Sequence, residues 1–344
     1  MIKFFTPEPL PGHNIAAQFF FKFAPERTVG GLFKDEVVYS FFAKQEYVAT
    51  PEEADAIILP NNFLALNDAV RTYIARYADL AERLGKPLYL FSFGDYSDTL
   101  HFDPRATVFR QSLYGATRTQ KDISIPTLTP DLGAQGITLR KKQDKPIVSF
   151  VGRAAFNSLR ELFASWGRRL GWEIVGLVRP LARGRIRGIF WRQSAIAACQ
   201  HSNLVETRFI LRKTFSGAES TIEVLPAVAR KEFIDATTQS DFVLAPKGDG
   251  NYSNRFLEAL ALGRIPVLID TDTVLPFAEK IEYEKIMVRV PMNDVRNTPK
   301  YIREFYDALT PEEWSARQQL ARETYTKYLL QDAFWEQFFA SAAA

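Results

Sequence analysis

Arg255 and Glu258 stand three residues apart, directly behind "GDGNYSN", which runs from Gly248 to Asn254. On a helix, that spacing places a guanidinium and a carboxylate side by side. A guanidinium can hold a diphosphate through paired hydrogen bonds, and a carboxylate can accept from both hydroxyls of a ribose. A helix capped by Asn251 or Ser253 adds unsatisfied N–H groups and a positive dipole end, which together make an anion site. The same spacing equally describes an exposed ion pair worth only about 0.2–0.5 kcal/mol. The stretch is not a phosphate loop of the G-x-x-x-x-G-K-[ST] type, whose spacing it lacks.

These residues need particular elements around them. "DFVLAP" reads as a buried strand that stops at Pro246, since proline cannot donate to a further rung of a central ladder. Lys247 to Asn251 then forms a loop at the carboxyl end of a parallel strand, where open α/β sheets bind ligands. A 100° wheel gathers Phe256, Leu257 and Leu260 on one face and sets Arg255 and Glu258 nearly opposite, so both charged groups are expected to reach a cleft. Gly263 ends the helix and "IPVLID" returns to the sheet.

Short apolar runs alternate with helical patterns along the whole chain, the arrangement of a parallel α/β protein. "IKFFT", "AIILP", "PLYLFSF" and "TVFRQS" read as strands of a first domain, with a helix marked by Val70, Tyr73, Ile74, Tyr77, Leu80 and Leu84 and stopped at Gly85. "PIVSFVG", "WEIVGLV", "DFVLAP", "IPVLID" and "IMVRVP" read as strands of a second, with "SLRELFASWGRRL" as one of its helices. "GAQGITLRKKQDK", residues 133–145, is the expected linker. Two Rossmann-like domains result, residues 1–138 and 139–305. Thr310, Pro311 and Glu313 open a capped helix, and the aromatic residues of 306–344 must pack on the rest, returning toward the N-terminal domain.

With 344 residues, 47% of them apolar and 24% charged, the chain suits two globular domains. A net charge of +3 from 43 basic and 40 acidic residues gives no broad field for nucleic acid, and no nucleic-acid recognition module is visible. Cys199 is the single cysteine, which excludes an internal disulfide or a Cys-rich zinc site and suits a reducing compartment. The start "MIKFFTPEPLPGHN" reaches proline before any apolar region forms, and no later run approaches the ~20 apolar residues of a membrane span. The expected location is the cytoplasm, with peripheral attachment to the inner face of a membrane left open.

"SDFVLAPKGDGNYSNRFLEALALGRIPVLIDTDTVLPF" resembles the C-terminal motif of the exostosin-like glycosyltransferases. The residues in common are Ser240, Phe242, Leu244, Pro246, Gly248, Ser253, Arg255, Glu258, Gly263, Ile265, Pro266, Val267, Leu275, Pro276 and Phe277. "TPEEADAIILP" and "IVSFVGR" are weaker echoes. The resemblance implies the GT-B architecture, two Rossmann-like domains facing a cleft. The donor nucleotide would lie on the C-terminal domain and the acceptor toward the N-terminal one. It implies inverting transfer from a UDP-sugar type of donor to a glycan or glycolipid, of the hexosyl- or glucuronosyltransferase kind, without a metal or other cofactor. Secretory members carry cysteines where Val243 and Arg264 stand here, and an N-terminal anchor; both departures suggest a cytosolic bacterial or viral relative working in surface polysaccharide synthesis.

Such a transfer needs a base for the acceptor hydroxyl and electrophilic help for the leaving diphosphate. "FSFGDYSDTLHFD" offers Asp95, Asp98, His101 and Asp103, with Asp95 the first choice for the base and His101 the second. Arg255, the turn residues Pro246, Lys247, Gly248, Gly250, Asn251, Ser253 and Asn254, and Arg153 are the candidates for the donor nucleotide, with Glu258 on the ribose. Arg153 also reads as a solvated strand-end arginine. "RPLARGRIRGIFWR", Arg179 to Arg192, is either a contact for an anionic acceptor or a solvated loop beside packed Phe190 and Trp191. "VETRFILRKTFSGAES", with Glu206, Arg208, Arg212 and Lys213, is either a lid or a surface loop. A sugar-nucleotide epimerase and a non-catalytic nucleotide-sugar-binding protein are the competing readings.

Overall fold

A computed structural model describes residues 1–16, 40–95, 99–213 and 226–342. They fall into two compact units: one holds the described residues of Met1–Pro126, Val274–Pro276 and those from Gln331 onward, the other Thr127–Thr273 and Phe277–Leu330.

In the first unit the elements run β1 (Lys3–Phe5), α1 (Ser40–Ala43), β2 (Glu46–Tyr47), β3 (Ala56–Asn62), α2 (Asp68–Leu84), β4 (Leu88–Ser92), β5 (Thr107–Arg110) and β6 (Asp122–Ser124). The strands pair in the order β2-β1-β3-β4-β5-β6, all parallel. Parallel central strands are covered on both faces, which is why "AIIL" and "LYLF" are apolar without alternation. Asn67 caps α2 by accepting from the Val70 N–H at 2.9 Å, and Gly85 ends it at φ 63°. Val70, Ile74, Ala78 and Ala81 repeat on its inner face and pack on Ile57, Leu59, Leu88, Leu90 and Val108.

The second unit comprises β7 (Ile147–Arg153), α3 (Leu159–Val178), α4 (Gly188–Gln200), β8 (Glu206–Arg212), α5 (Pro226–Thr238), β9 (Phe242–Leu244), α6 (Asn254–Ala261), β10 (Ile265–Asp270), β11 (Val288–Pro291), α7 (Thr298–Asp307) and α8 (Pro311–Thr324). Its sheet is parallel throughout, in the order β11-β10-β9-β7-β8. Thr310 and Glu313 form the expected capping box at the start of α8. A π-helical turn, Tyr325–Leu329, follows α8, and α9 (Gln331–Ala342) then belongs to the first unit. There Trp335 and Phe339, both buried, meet Phe42, and further ring contacts join them to Phe4, Phe91, Tyr89 and Phe109.

Four sequence-based expectations differ from the structure. "WEIVGLV" is no strand but the last third of α3. The Ser158 side chain caps that helix by accepting from the Glu161 N–H, and nothing interrupts it before Arg179-Pro180. The Arg179–Arg192 segment is a 3-10 turn, Pro180–Arg185, followed by α4, and Phe190 and Trp191 are buried within it. Glu206–Arg212 is an edge strand, β8, that pairs with β7 along its full length; positions 214–220 of that stretch lie outside the described residues. Residues 133–145 have no regular structure yet lie inside the second unit, where the Arg140 N–H donates to Gln318 Oε1 and its guanidinium pairs with Asp241.

Candidate active site

The turn after β9 sits at the carboxyl edge of the second sheet. Pro246 and Lys247 are buried, and the Gly248 N–H donates to the Tyr252 carbonyl at 2.9 Å. Neither Gly248 nor Gly250 adopts a positive φ, and a methyl group on Gly248 would meet nothing closer than 3.8 Å. The glycine that this corner requires is Gly188, at the start of α4. A Cβ there would stand 2.1 Å from the Gly248 carbonyl oxygen and 2.2 Å from that of Lys247.

Asn251 does not cap α6. Its amide donates to the Thr271 and Asp272 carbonyls and its oxygen accepts from the Thr271 hydroxyl at 2.6 Å, so it fastens the turn to the loop after β10. Ser253 occupies the N-cap position but its side chain makes no capping bond. The first-turn N–H groups of α6 are therefore without a side-chain cap, and Asn254, the first helical residue, is exposed.

α6 is buried almost all round, against the expectation of an open charged face. It packs on β9 and β10 and also on α8 and the π-helical turn, so Phe256 to Ala261 are all buried and Glu258 keeps only 7% exposure. Glu258 is buried and pairs with Arg230 of α5 at 3.4 Å, not with Arg255. Burial pushes its carboxyl up, against the lowering pull of Arg255 and Arg230. Arg255 turns toward β7, donating from Nε and Nη2 to the Val151 carbonyl at 2.8 and 2.5 Å, with its guanidinium 5.0 Å over the Phe150 ring. Burial lowers its pKa and Glu258 opposes that shift.

Further guanidinium groups gather at this corner. Arg153, at the end of β7, is held by both Glu161 oxygens at 2.7 and 2.8 Å, so it is not a solvated strand end. Arg187 reaches Glu161, the Ser165 hydroxyl and Asp249 in the turn. Burial works to raise the Glu161 carboxyl, but the Asn157 N–H and the two arginines outweigh it and hold it low. Arg192 donates to the Arg153 and Lys247 carbonyls at 3.3 and 3.4 Å, and its buried Nε has no hydrogen-bond partner. Burial, reinforced by Arg255, pushes its pKa down to about 10. Guanidinium groups that crowd one buried corner and raise each other's energy favour an anion between them.

All the candidate donor residues thus lie in the second unit, around the carboxyl ends of β7 and β9. Asp95 and His101 lie in the first unit, beyond β4, Asp95 half-buried and His101 exposed. Asp103 is taken up by Arg105, whose bonds hold its carboxyl low; Asp98 lies outside the described residues. Sequence reading missed Arg187, Arg192 as part of the donor corner, Gly152 and Gly188. The glycines had a signal in "VGR" and "RGI", since a strand end and a helix start with glycine suggest close backbone approach.

The second unit is a parallel α/β sheet with a cluster of guanidinium groups at its carboxyl edge, the edge at which open α/β sheets bind ligands. The Exostosin GT47 domain matches residues 114–305, more than half of the chain, and the chain belongs to that glycosyltransferase family. It is 47% identical over 57 residues to the probable glucuronosyltransferase Os01g0926700 of Oryza sativa subsp. japonica, covering 17% of this chain and 14% of that protein. To the probable beta-1,4-xylosyltransferase IRX10 of Arabidopsis thaliana it is 48% identical over 54 residues, 16% and 13% of the two. The chain thus matches only a small part of the length of these relatives. Among solved structures it is similar to the lipopolysaccharide outer core galactosyltransferase WaaB in its apo form, with a TM-score of 0.41 and 11% identity over 99% of this chain and 100% of that one.

Proposed function

We propose that this chain is an inverting glycosyltransferase that moves a sugar from a UDP-sugar type of donor to a hydroxyl of a glycan or glycolipid acceptor in surface polysaccharide synthesis. The observation that carries the reading is the cluster of guanidinium groups at the carboxyl edge of the second sheet, where Arg187 and Arg192 reach the Lys247–Asp249 turn and Arg153 and Arg255 stand beside them at the end of β7.

The donor diphosphate binds among these guanidinium groups and the uncapped N–H groups of α6, and the Glu258 carboxylate, held by Arg230, accepts from the ribose hydroxyls. The acceptor oxygen attacks the anomeric carbon from the face opposite the diphosphate. The new C–O bond forms as the bond to the leaving group breaks, which inverts the centre. Asp95 takes the acceptor proton, and the nucleoside diphosphate leaves with its added charge spread over the arginines, a task a divalent metal performs elsewhere. The reaction takes place in the cytoplasm.

Incubation with a panel of sugar nucleotides, with and without glycan acceptors, tests this reading. Acceptor-dependent release of nucleoside diphosphate supports transfer. Donor conversion without release would make the protein an epimerase, and binding without turnover a nucleotide-sugar-binding protein.

A further inference from the structure

The outer face of α3 inverts the usual pattern of a surface helix. Its buried positions are Ser165 and Gly176, and most of its contacts with the unit are polar: Glu161 to Arg153 and Arg187, Ser165 to Arg187, Glu173 to Arg183, with one edge of Trp166 on the Phe190 ring. Leu159, Phe163, Trp166, Leu170, Ile174 and Leu177 recur at three- and four-residue spacing, within one narrow arc of the opposite side. Each is more than half exposed, from 51% for Trp166 to 75% for Leu177. Val178, the last residue of the helix, and Leu181 in the turn after it extend the exposed apolar surface. A helix of 20 residues carries this stripe for about 30 Å, far more than the scattered apolar exposure of an ordinary surface.

Charge names the occupant. Residues 159–187 contain seven arginines against two glutamates, in a chain whose whole net charge is only +3. Both glutamates are already paired inside the unit. Arg160, Arg168 and Arg179 are exposed and have no acidic partner among the described residues, and Arg169 lies 4.9 Å over the Trp166 ring at the edge of the stripe. The one acid beside the stripe, Glu173, is neutralised by Arg169 and Arg183. We propose that α3 lies in the interface of an anionic lipid bilayer, its stripe in the hydrocarbon margin and its arginines among the headgroup phosphates. Among the described residues no helix is long and apolar enough to cross a membrane, so α3 rests on the bilayer without spanning it.

The attachment has a geometric consequence within the unit. Glu161, in the first turn of α3, is bonded to Arg187, which is bonded to Asp249 in the turn after β9. A docked α3 therefore holds that turn close to the membrane surface. The proposal stands whether or not the turn binds a sugar nucleotide.

The full chain is tested by flotation with vesicles of phosphatidylcholine alone and of phosphatidylcholine with phosphatidylglycerol. The expected result is binding to the anionic vesicles, weakened by salt. Phe163→Gln/Leu170→Gln/Ile174→Gln should lower that binding by about tenfold or more, with helical circular dichroism and Tm retained because these side chains face outward. Arg160→Glu/Arg168→Glu/Arg179→Glu should abolish the preference for phosphatidylglycerol. Failure of the parent chain to float with anionic vesicles, or equal flotation of the apolar variant, overturns the proposal. A parent dimer in sedimentation that the apolar variant dissolves overturns it in favour of a second copy of the chain.

Discussion

Gly152 and Arg255 touch so closely that a methyl group at position 152 would stand 2.1 Å from Nη2 of the guanidinium. Gly152 also holds φ at 144°, a region that side-chain-bearing residues rarely enter. Gly152→Ala should therefore cost about 1–3 kcal/mol of stability in urea unfolding and displace Arg255. Nucleoside diphosphate affinity, measured by calorimetry, should fall in the folded fraction. An unchanged affinity would show that the position of Arg255 is immaterial to binding.

Arg192→Ala separates binding from folding. The buried Nε has no partner and burial opposes the charge, while the long bonds to the Arg153 and Lys247 carbonyls would be lost, so the two effects should largely offset and Tm should change little. Donor affinity should drop by a factor of about ten to a hundred, the worth of one charge-assisted hydrogen bond. Equal loss of Tm and affinity would make the residue a packing element alone.

Asp95→Asn probes the acceptor side. Turnover should fall by about 10²–10⁴ while donor affinity survives, because Asp95 lies in the first unit and the donor corner in the second. Normal turnover in the variant would shift the assignment to His101.

Arg264 is fully buried. Its guanidinium donates to Gly263 O, Gln318 Oε1, Thr138 O and Thr238 O, drawing four segments of the second unit together. Arg264→Ala should strand these acceptors and open a cavity, lowering stability by about 3 kcal/mol or more. Urea unfolding is the measurement, and a loss below about 1 kcal/mol would show that the network relaxes.

Cys199 gives a pH signature. Burial pushes its thiol up to about 12, so the folded state favours the neutral form. Its contribution is complete below the free-thiol pKa of about 8.5 and is lost as pH rises through about 12. Alkylation at neutral pH should proceed only as fast as the protein unfolds; rapid labelling of the native protein would contradict the burial.

The parallel sheets were legible in the sequence because strands buried on both faces leave uninterrupted apolar runs, as in β3, β4 and β10. The donor corner was legible in part: the motif from Ser240 to Phe277 marked the turn and α6, but a wheel drawn on α6 alone could not know that α8 covers its other side. α3 misled for a related reason. Its final "WEIVGLV" looks like a core strand because apolar side chains normally point inward, and here they do not. Arg187 and Arg192 escaped notice because their roles depend on α4 running up to the turn at Gly188, a contact made by backbone approach between segments sixty residues apart.

α9 alters the order in which the protein can be made. Trp335 and Phe339 fill the aromatic core of the unit that begins at Met1, yet the ribosome delivers them only after every strand of the other sheet. The half translated first is thus the last to be completed. A nascent chain stopped before Gln331 would leave Phe4, Phe42 and Phe109 without these ring partners, an invitation to chaperones during synthesis.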